Sequence, residues 1–220
     1  MRIMRKSATI GATAAATVTM GAAAAFAGTP YPITVWSSPS GTHVLSASSG
    51  TWGINVTHGT PPNTVTMGCT SSTTSGTTNY VTAGVNVDPA MTFNSLSLAG
   101  CTMPGSSAVY TPLGTWTFEA DSGATSGSDV VRGRLTNISV KATASPIPAL
   151  CTFQFGGYAD ATYDEANGRL TVDPTGMMFV TTVSGCGGTL APWDPVTLSA
   201  TYQMNTVDGL AFAANAINIG

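Results

Sequence analysis

Five apolar residues, Val196, Leu198, Ala200, Tyr202 and Met204, alternate without a break with Thr197, Ser199, Thr201 and Gln203. Period two over such a run lays one row of side chains toward a core and the other toward water, the signature of a half-buried strand. The same alternation runs through Cys151, Phe153 and Phe155, and through Val65, Met67 and Cys69. It recurs where Trp116 and Phe118 stand between Thr115, Thr117 and Glu119. β-Branched Thr and Val dominate these stretches, which suits a pleated surface. No segment long enough for a helix carries a 3.6-residue apolar stripe. Ala211 to Ala216 allows one helical turn, weakened by Asn215 and Asn218. The chain is expected to be all-β.

Turn-forming clusters divide it into short strands. The clearest is Asp164-Glu165-Ala166-Asn167-Gly168, joining Tyr158–Tyr163 to Arg169–Asp173, because Asn-Gly tolerates the positive φ of a tight hairpin. Further breaks are read at Ser37–Gly41, Thr60–Asn63, Ser71–Thr78, Pro104–Ser107, Asp121–Ser128, Ser145–Pro148 and Gly187–Pro195. Short strands at this spacing predict an antiparallel β-sandwich or barrel.

Residues 1–27 read as a secretory signal peptide. Arg2, Arg5 and Lys6 are followed by an uncharged Ala- and Thr-rich segment, and Ala25-Phe26-Ala27 is a small-x-small cleavage site before Gly28. Residues 28–220 then form a single secreted β domain with a weak half-repeat, about 60–144 and 149–220. Cleavage leaves Arg132, Arg134, Lys141 and Arg169 against ten acids, a formal charge of −6. Four cations cannot line a phosphate-tracking groove, so nucleic-acid binding is not expected. Charged residues make up only 8% of the chain, against about 25% in ordinary soluble domains. Ser, Thr, Gly and Asn hydrate the surface instead, which suits an exported or envelope-embedded protein. A C-terminal sorting motif and a lipid-attachment Cys are both lacking, so envelope association is expected to be non-covalent.

Cys69, Cys101, Cys151 and Cys186 all follow the signal, and an even count in an exported protein reads as two disulfides. Four cysteines allow three connectivities. Two strand ends match, Ser97-Leu98-Ala99-Gly100-Cys101 and Thr182-Val183-Ser184-Gly185-Cys186, and each has a cysteine 32 or 35 residues upstream. That favours Cys69–Cys101 and Cys151–Cys186. No pair has the C-x₂₋₄-C spacing of a Cys₄ metal site, so no metal is expected.

The order of these features resembles a family. A signal precedes strands ending Thr-Met-Gly-Cys69-Thr and Leu-Ala-Gly-Cys101-Thr. Then come Leu150-Cys151, the hairpin from Tyr163 to Leu170, Ser184-Gly185-Cys186-Gly-Gly and the strand Pro195 to Tyr202. Over most of residues 60 to 220 the chain is similar to small secreted four-cysteine β-proteins of actinobacteria. The resemblance implies a fold and no activity, and it carries over no functional residue. Residues 28 to 59, which hold both histidines, lie outside it.

Candidate chemistry is sparse. His43 and His58 are the only histidines, no G-x-S-x-G nucleophile turn occurs, and Asp121-Ser122-Gly123 lies in a low-complexity loop. His58, before Gly59-Thr60-Pro61-Pro62, reads as the end of a strand entering a turn. Asp160, Asp164 and Glu165 near Asn167 offer hard oxygen ligands for Ca²⁺ or a carboxylate pair, but read better as residues of an exposed hairpin. Trp36, Trp52, Trp116 and Trp193 invite a sugar-stacking platform. Trp116 alternates with Thr and reads as core, whereas Trp193, between Pro192 and Asp194, has no burial pattern and is the candidate contact residue. The reading is an exported, non-catalytic, disulfide-stapled β protein of the envelope or beyond, with no catalytic residue and no cofactor. It acts by binding or assembly with a cell-wall polymer, envelope lipid or another protein. The alternatives are a β-barrel or pore-forming subunit in an outer lipid layer, and a secreted hydrolase.

Overall fold

The computed structural model describes residues 33–35, 41–80, 89–121, 130–145, 151–212 and 217–219, so the expected signal peptide and Trp36 lie outside the described residues. All regular elements among them are strands. In chain order these are β1 (Ile33–Val35), β2 (Gly41–Ser49), β3 (Trp52–His58), β4 (Asn63–Cys69) and β5 (Ser71–Tyr80). Next are β6 (Met91–Ala99), β7 (Thr102–Met103), β8 (Ser106–Pro112), β9 (Trp116–Ala120) and β10 (Val130–Ser145). The last five are β11 (Thr152–Asp164), β12 (Arg169–Ser184), β13 (Pro195–Val207), β14 (Leu210–Ala211) and β15 (Ile217–Ile219).

The four longest strands, β10 to β13, pair in sequence order and antiparallel, forming a continuous wall. Each border strand of that wall is shared between two partners. β13 pairs with β3 through Val196–Ala200 and with β2 through Gln203–Val207. β10 pairs with β9 through Gly133–Thr136 and with β8 through Val140–Ser145. β2, β5, β6 and β9 then close one antiparallel circuit against the wall, and β3, β4, β7 and β8 close the other. The sheet thus returns on itself, and closure removes the exposed edges on which open sheets aggregate. β1 and β15 form a separate two-stranded ribbon.

The alternation read from the sequence is the core. Val196, Leu198, Ala200, Tyr202 and Met204 are all buried, as are Phe153, Phe155, Met67, Trp116 and Phe118. Apolar side chains from both halves of the weak repeat belong to one cluster. Both disulfides form as the matched strand ends require, Cys69–Cys101 and Cys151–Cys186. The shared Gly-Cys ending has a backbone cause: Gly100 (φ +60°) and Gly185 (φ +73°) turn each strand end through the left-handed region before its cysteine.

Three local expectations need correction. Ser71–Thr78, read as a break, is most of strand β5. Its hydroxyl residues supply the inward row: Ser72 donates to the Tyr202 phenol at 2.9 Å, Thr74 to the Ser95 carbonyl at 2.6 Å and Thr78 to the Ala90 carbonyl at 3.1 Å. Satisfied in this way, buried hydroxyls cost little. In the turn between β11 and β12, Gly168 takes positive φ and Asn167 does not. Asn167 instead donates its backbone N–H and side-chain amide to Asp164 at 3.0 and 2.7 Å. Ala211 belongs to strand β14, paired with Thr206, rather than to a helical turn, and residues 213–216 of that expected turn lie outside the described residues.

Candidate functional site

Ala191-Pro192-Trp193-Asp194 is a four-residue turn closed by the Asp194 N–H donating to the Ala191 carbonyl at 3.2 Å. Pro192 supplies the fixed φ of the second position. Trp193, third in the turn, has φ +73°, the conformation that makes type II turns select Gly or Asn there. An L-residue in that region costs roughly 1–2 kcal/mol. Bonds on every side hold it in place. The Trp193 N–H donates to the Val180 carbonyl at 2.8 Å, and the Val180 N–H donates to the Asp194 carbonyl at 3.0 Å. The Asp194 carboxylate accepts the Ala191 N–H at 2.7 Å and His58 Nδ1 at 2.8 Å. The indole is left 72% exposed, its ring edge-on to Phe179 with centroids 6.4 Å apart.

His58 therefore ends β3 as expected and does a further job: it ties the β3–β4 hairpin to the Trp193 turn. Among the described residues its ring bonds to Asp194 alone, through both carboxylate oxygens at 3.0 and 2.8 Å. His43 makes a second His–carboxylate pair, with Nδ1 2.5 Å from Asp208. Asp208 also accepts the Val44 N–H at 2.9 Å, clamping β2 to the β13–β14 turn. The His43 hydrogen bond, helped by the Val44 N–H, holds the Asp208 carboxyl below the usual carboxylate range. His43 is buried, which keeps its ring from a substrate in solvent. Neither acid partner was legible beforehand, because 136 residues separate one pair and 165 the other.

The acids near Asn167 do not converge. Asp164 accepts from Asn167, and this bond is the main reason its carboxyl is held low. Glu165, expected in an exposed turn, is instead buried and accepts the Ile219 N–H from β15. Asp160 lies 3.7 Å from Arg134, which also stands 3.9 Å from Asp121. Ser122 and Gly123 lie outside the described residues. Trp52 and Trp116 are core residues, so of the four tryptophans Trp193 alone is described at the surface. The cysteines are all spent in disulfides.

No family model matches the chain, and no curated protein or solved structure is significantly similar to it.

Proposed function

We propose that the protein is exported and works at the cell envelope or outside it by binding, without catalysis, through the turn that displays Trp193. The observation that carries this reading is the misfit at that position. A large indole occupies a site whose backbone favours glycine, and it faces water while a carboxylate, a histidine and two strand bonds hold it there. Strain of this kind persists where the surroundings over-determine it and tends to gather at working surfaces. The two disulfides suit an oxidising compartment, as does the charged start and small-x-small site of residues 1–27.

The membrane-barrel alternative has the closed sheet in its favour. Against it, the outward rows are Thr- and Ser-rich, as in Thr197, Ser199 and Thr201 of β13, whereas a lipid-facing barrel needs an apolar band. The hydrolase alternative has two His–Asp pairs. One histidine is buried, and the other has its carboxylate engaged in holding a turn.

The test is fractionation of a native host carrying the wild-type protein or Trp193→Ala. The variant should lose envelope retention several-fold while its circular dichroism stays unchanged, and hydrolase substrates should stay at background with both. Unchanged retention, or turnover abolished by His58→Ala, overturns the reading.

A further inference from the structure

Trp193 does not stand alone. On the outward side of the β11–β12 pair, Tyr158 faces Met177 and Gly156 faces Phe179. Tyr158 and Phe179 are thus diagonal neighbours, a relation that places side chains about 7–8 Å apart. Phe179 in turn meets Trp193 at 6.4 Å. Three rings, with the half-exposed Met177 beside them, make an oblique line from β11 across β12 to the turn. Tyr158 is backed by the Arg134 guanidinium, 5.0 Å from its ring centroid, whose charge is matched by Asp160 and Asp121. Beyond Tyr158 the line opens into a surface groove lined by Gln154, Ser139, Asn137, Thr136 and Thr115. Gln154 Nε2 donates to Ser139 Oγ at 3.1 Å, and Asn137 Nδ2 donates to Thr117 Oγ1 at 3.3 Å. Among the described residues no charged side chain lines this groove; next to it Lys141 pairs across from Gln154, and Glu119 accepts from Thr136 Oγ1 at 2.7 Å, one charge of each sign.

We infer that the Tyr158–Phe179–Trp193 line and its groove bind a neutral polysaccharide. The inference rests on the reading of Trp193 as a contact residue and names its ligand class. A sugar ring offers apolar C–H faces edged by hydroxyls. Rigid aromatic rings cover the faces at small entropic cost, while amides and hydroxyls, which both donate and accept, match the edges. An anionic polymer or lipid surface calls for clustered, unmatched cations, whereas Arg134 behind Tyr158 is matched by Asp160 and Asp121, and Lys141 opposite Gln154 is a single charge. A line of rings separated along a sheet matches successive residues of a chain better than a single small molecule, which a concave pocket would bury.

The experiment is co-sedimentation of the exported protein with insoluble β-glucan, α-glucan and chitin, beside zwitterionic and anionic phospholipid vesicles. Trp193→Ala, Tyr158→Ala and Gln154→Ala run in parallel, each checked for an unchanged circular dichroism spectrum. Wild-type protein should pellet with at least one glycan and with neither vesicle. Both ring variants should bind that glycan at least tenfold more weakly, and soluble fragments of it should change the tryptophan emission of the wild type. Pelleting with no glycan, pelleting with vesicles instead, or glycan binding indifferent to both rings overturns the assignment. If no glycan binds while Trp193→Ala still releases the protein from the envelope, the ligand class is wrong and the binding reading survives. If envelope retention is also indifferent to Trp193, both fall.

Discussion

Replacing Trp193 by glycine and by alanine separates backbone strain from ring function. Both variants remove the indole and its contact with Phe179, so that loss cancels when they are compared. Alanine keeps the penalty of an L-residue at φ +73°, roughly 1–2 kcal/mol. Glycine removes it but gains unfolded-state freedom worth about 0.4–1 kcal/mol. Trp193→Gly should therefore be more stable than Trp193→Ala by about 0.5–1 kcal/mol. For a chain of this length that is a rise in Tm of about 1–4 °C. Against the wild type, the gain is offset by an exposed aromatic contact at the low end of about 0.5–1.5 kcal/mol, so Trp193→Gly should match it in stability. Urea unfolding with a common m value measures the difference. Envelope retention should be lost equally in both variants. A stable glycine variant without retention would mark a position where stability has been exchanged for function. If alanine proves as stable as glycine, the turn is not strained at Trp193 and the main support for the contact reading is gone.

Leu198 is fully buried, so Leu198→Ala should lower stability by about 2–5 kcal/mol, while Thr197→Ala on the outward row should change it by less than about 0.5 kcal/mol; equal urea midpoints would mean the strand is not one-sided. Removing the Cys151–Cys186 bridge, which spans 35 residues, should cost about 3–4 kcal/mol in the chain-entropy model, and non-reducing peptide maps of the wild type should contain both within-half pairs. The Asp208 carboxyl titrates below its ordinary range chiefly because His43 donates to it. Its contribution is accordingly complete above about pH 4 and is lost as pH falls through the lowered folded value. Asp208→Asn should flatten that acid limb in thermal melts from about pH 2 to pH 6, and a slope parallel to the wild type would refute the link.

What could be read from the sequence depended on contrast between the two faces of a strand. β13 announces itself because Leu198 and Tyr202 alternate with Thr and Ser. β5 carries the same period, yet its inward Ser72, Thr74 and Thr78 differ little in polarity from the residues between them. Its burial depends on acceptors from outside the strand: the Tyr202 phenol, whose pKa burial pushes up to about 12, and the carbonyls of Ser95 and Ala90. No local pattern encodes those partners. A barrel was one of the two architectures expected, but how the sheet closes was hidden, because it requires β13 to divide its length between β3 and β2 and β10 to divide its own between β8 and β9. The disulfide pairing was legible, since a left-handed glycine before a cysteine is a local device used twice.

The site follows the same logic. His58 and His43 looked isolated because their carboxylates arrive through tertiary pairing, and Glu165 looked exposed because its acceptor role toward Ile219 belongs to the far end of the chain. Trp193 was visible for a different reason: between Pro192 and Asp194 it shows no burial pattern. The structure adds the conflict, a turn opened by Pro192 whose next position favours glycine and holds the chain's largest side-chain type at φ +73°. Where every level of a sequence agrees, it reports on folding; where one residue opposes the local rule and the surrounding bonds enforce it, the conflict itself carries information. Phe179 and Tyr158 gain meaning only after that conflict is located. Outward aromatics on a strand are unremarkable singly, and it is their alignment with a strained, anchored indole that makes them a surface.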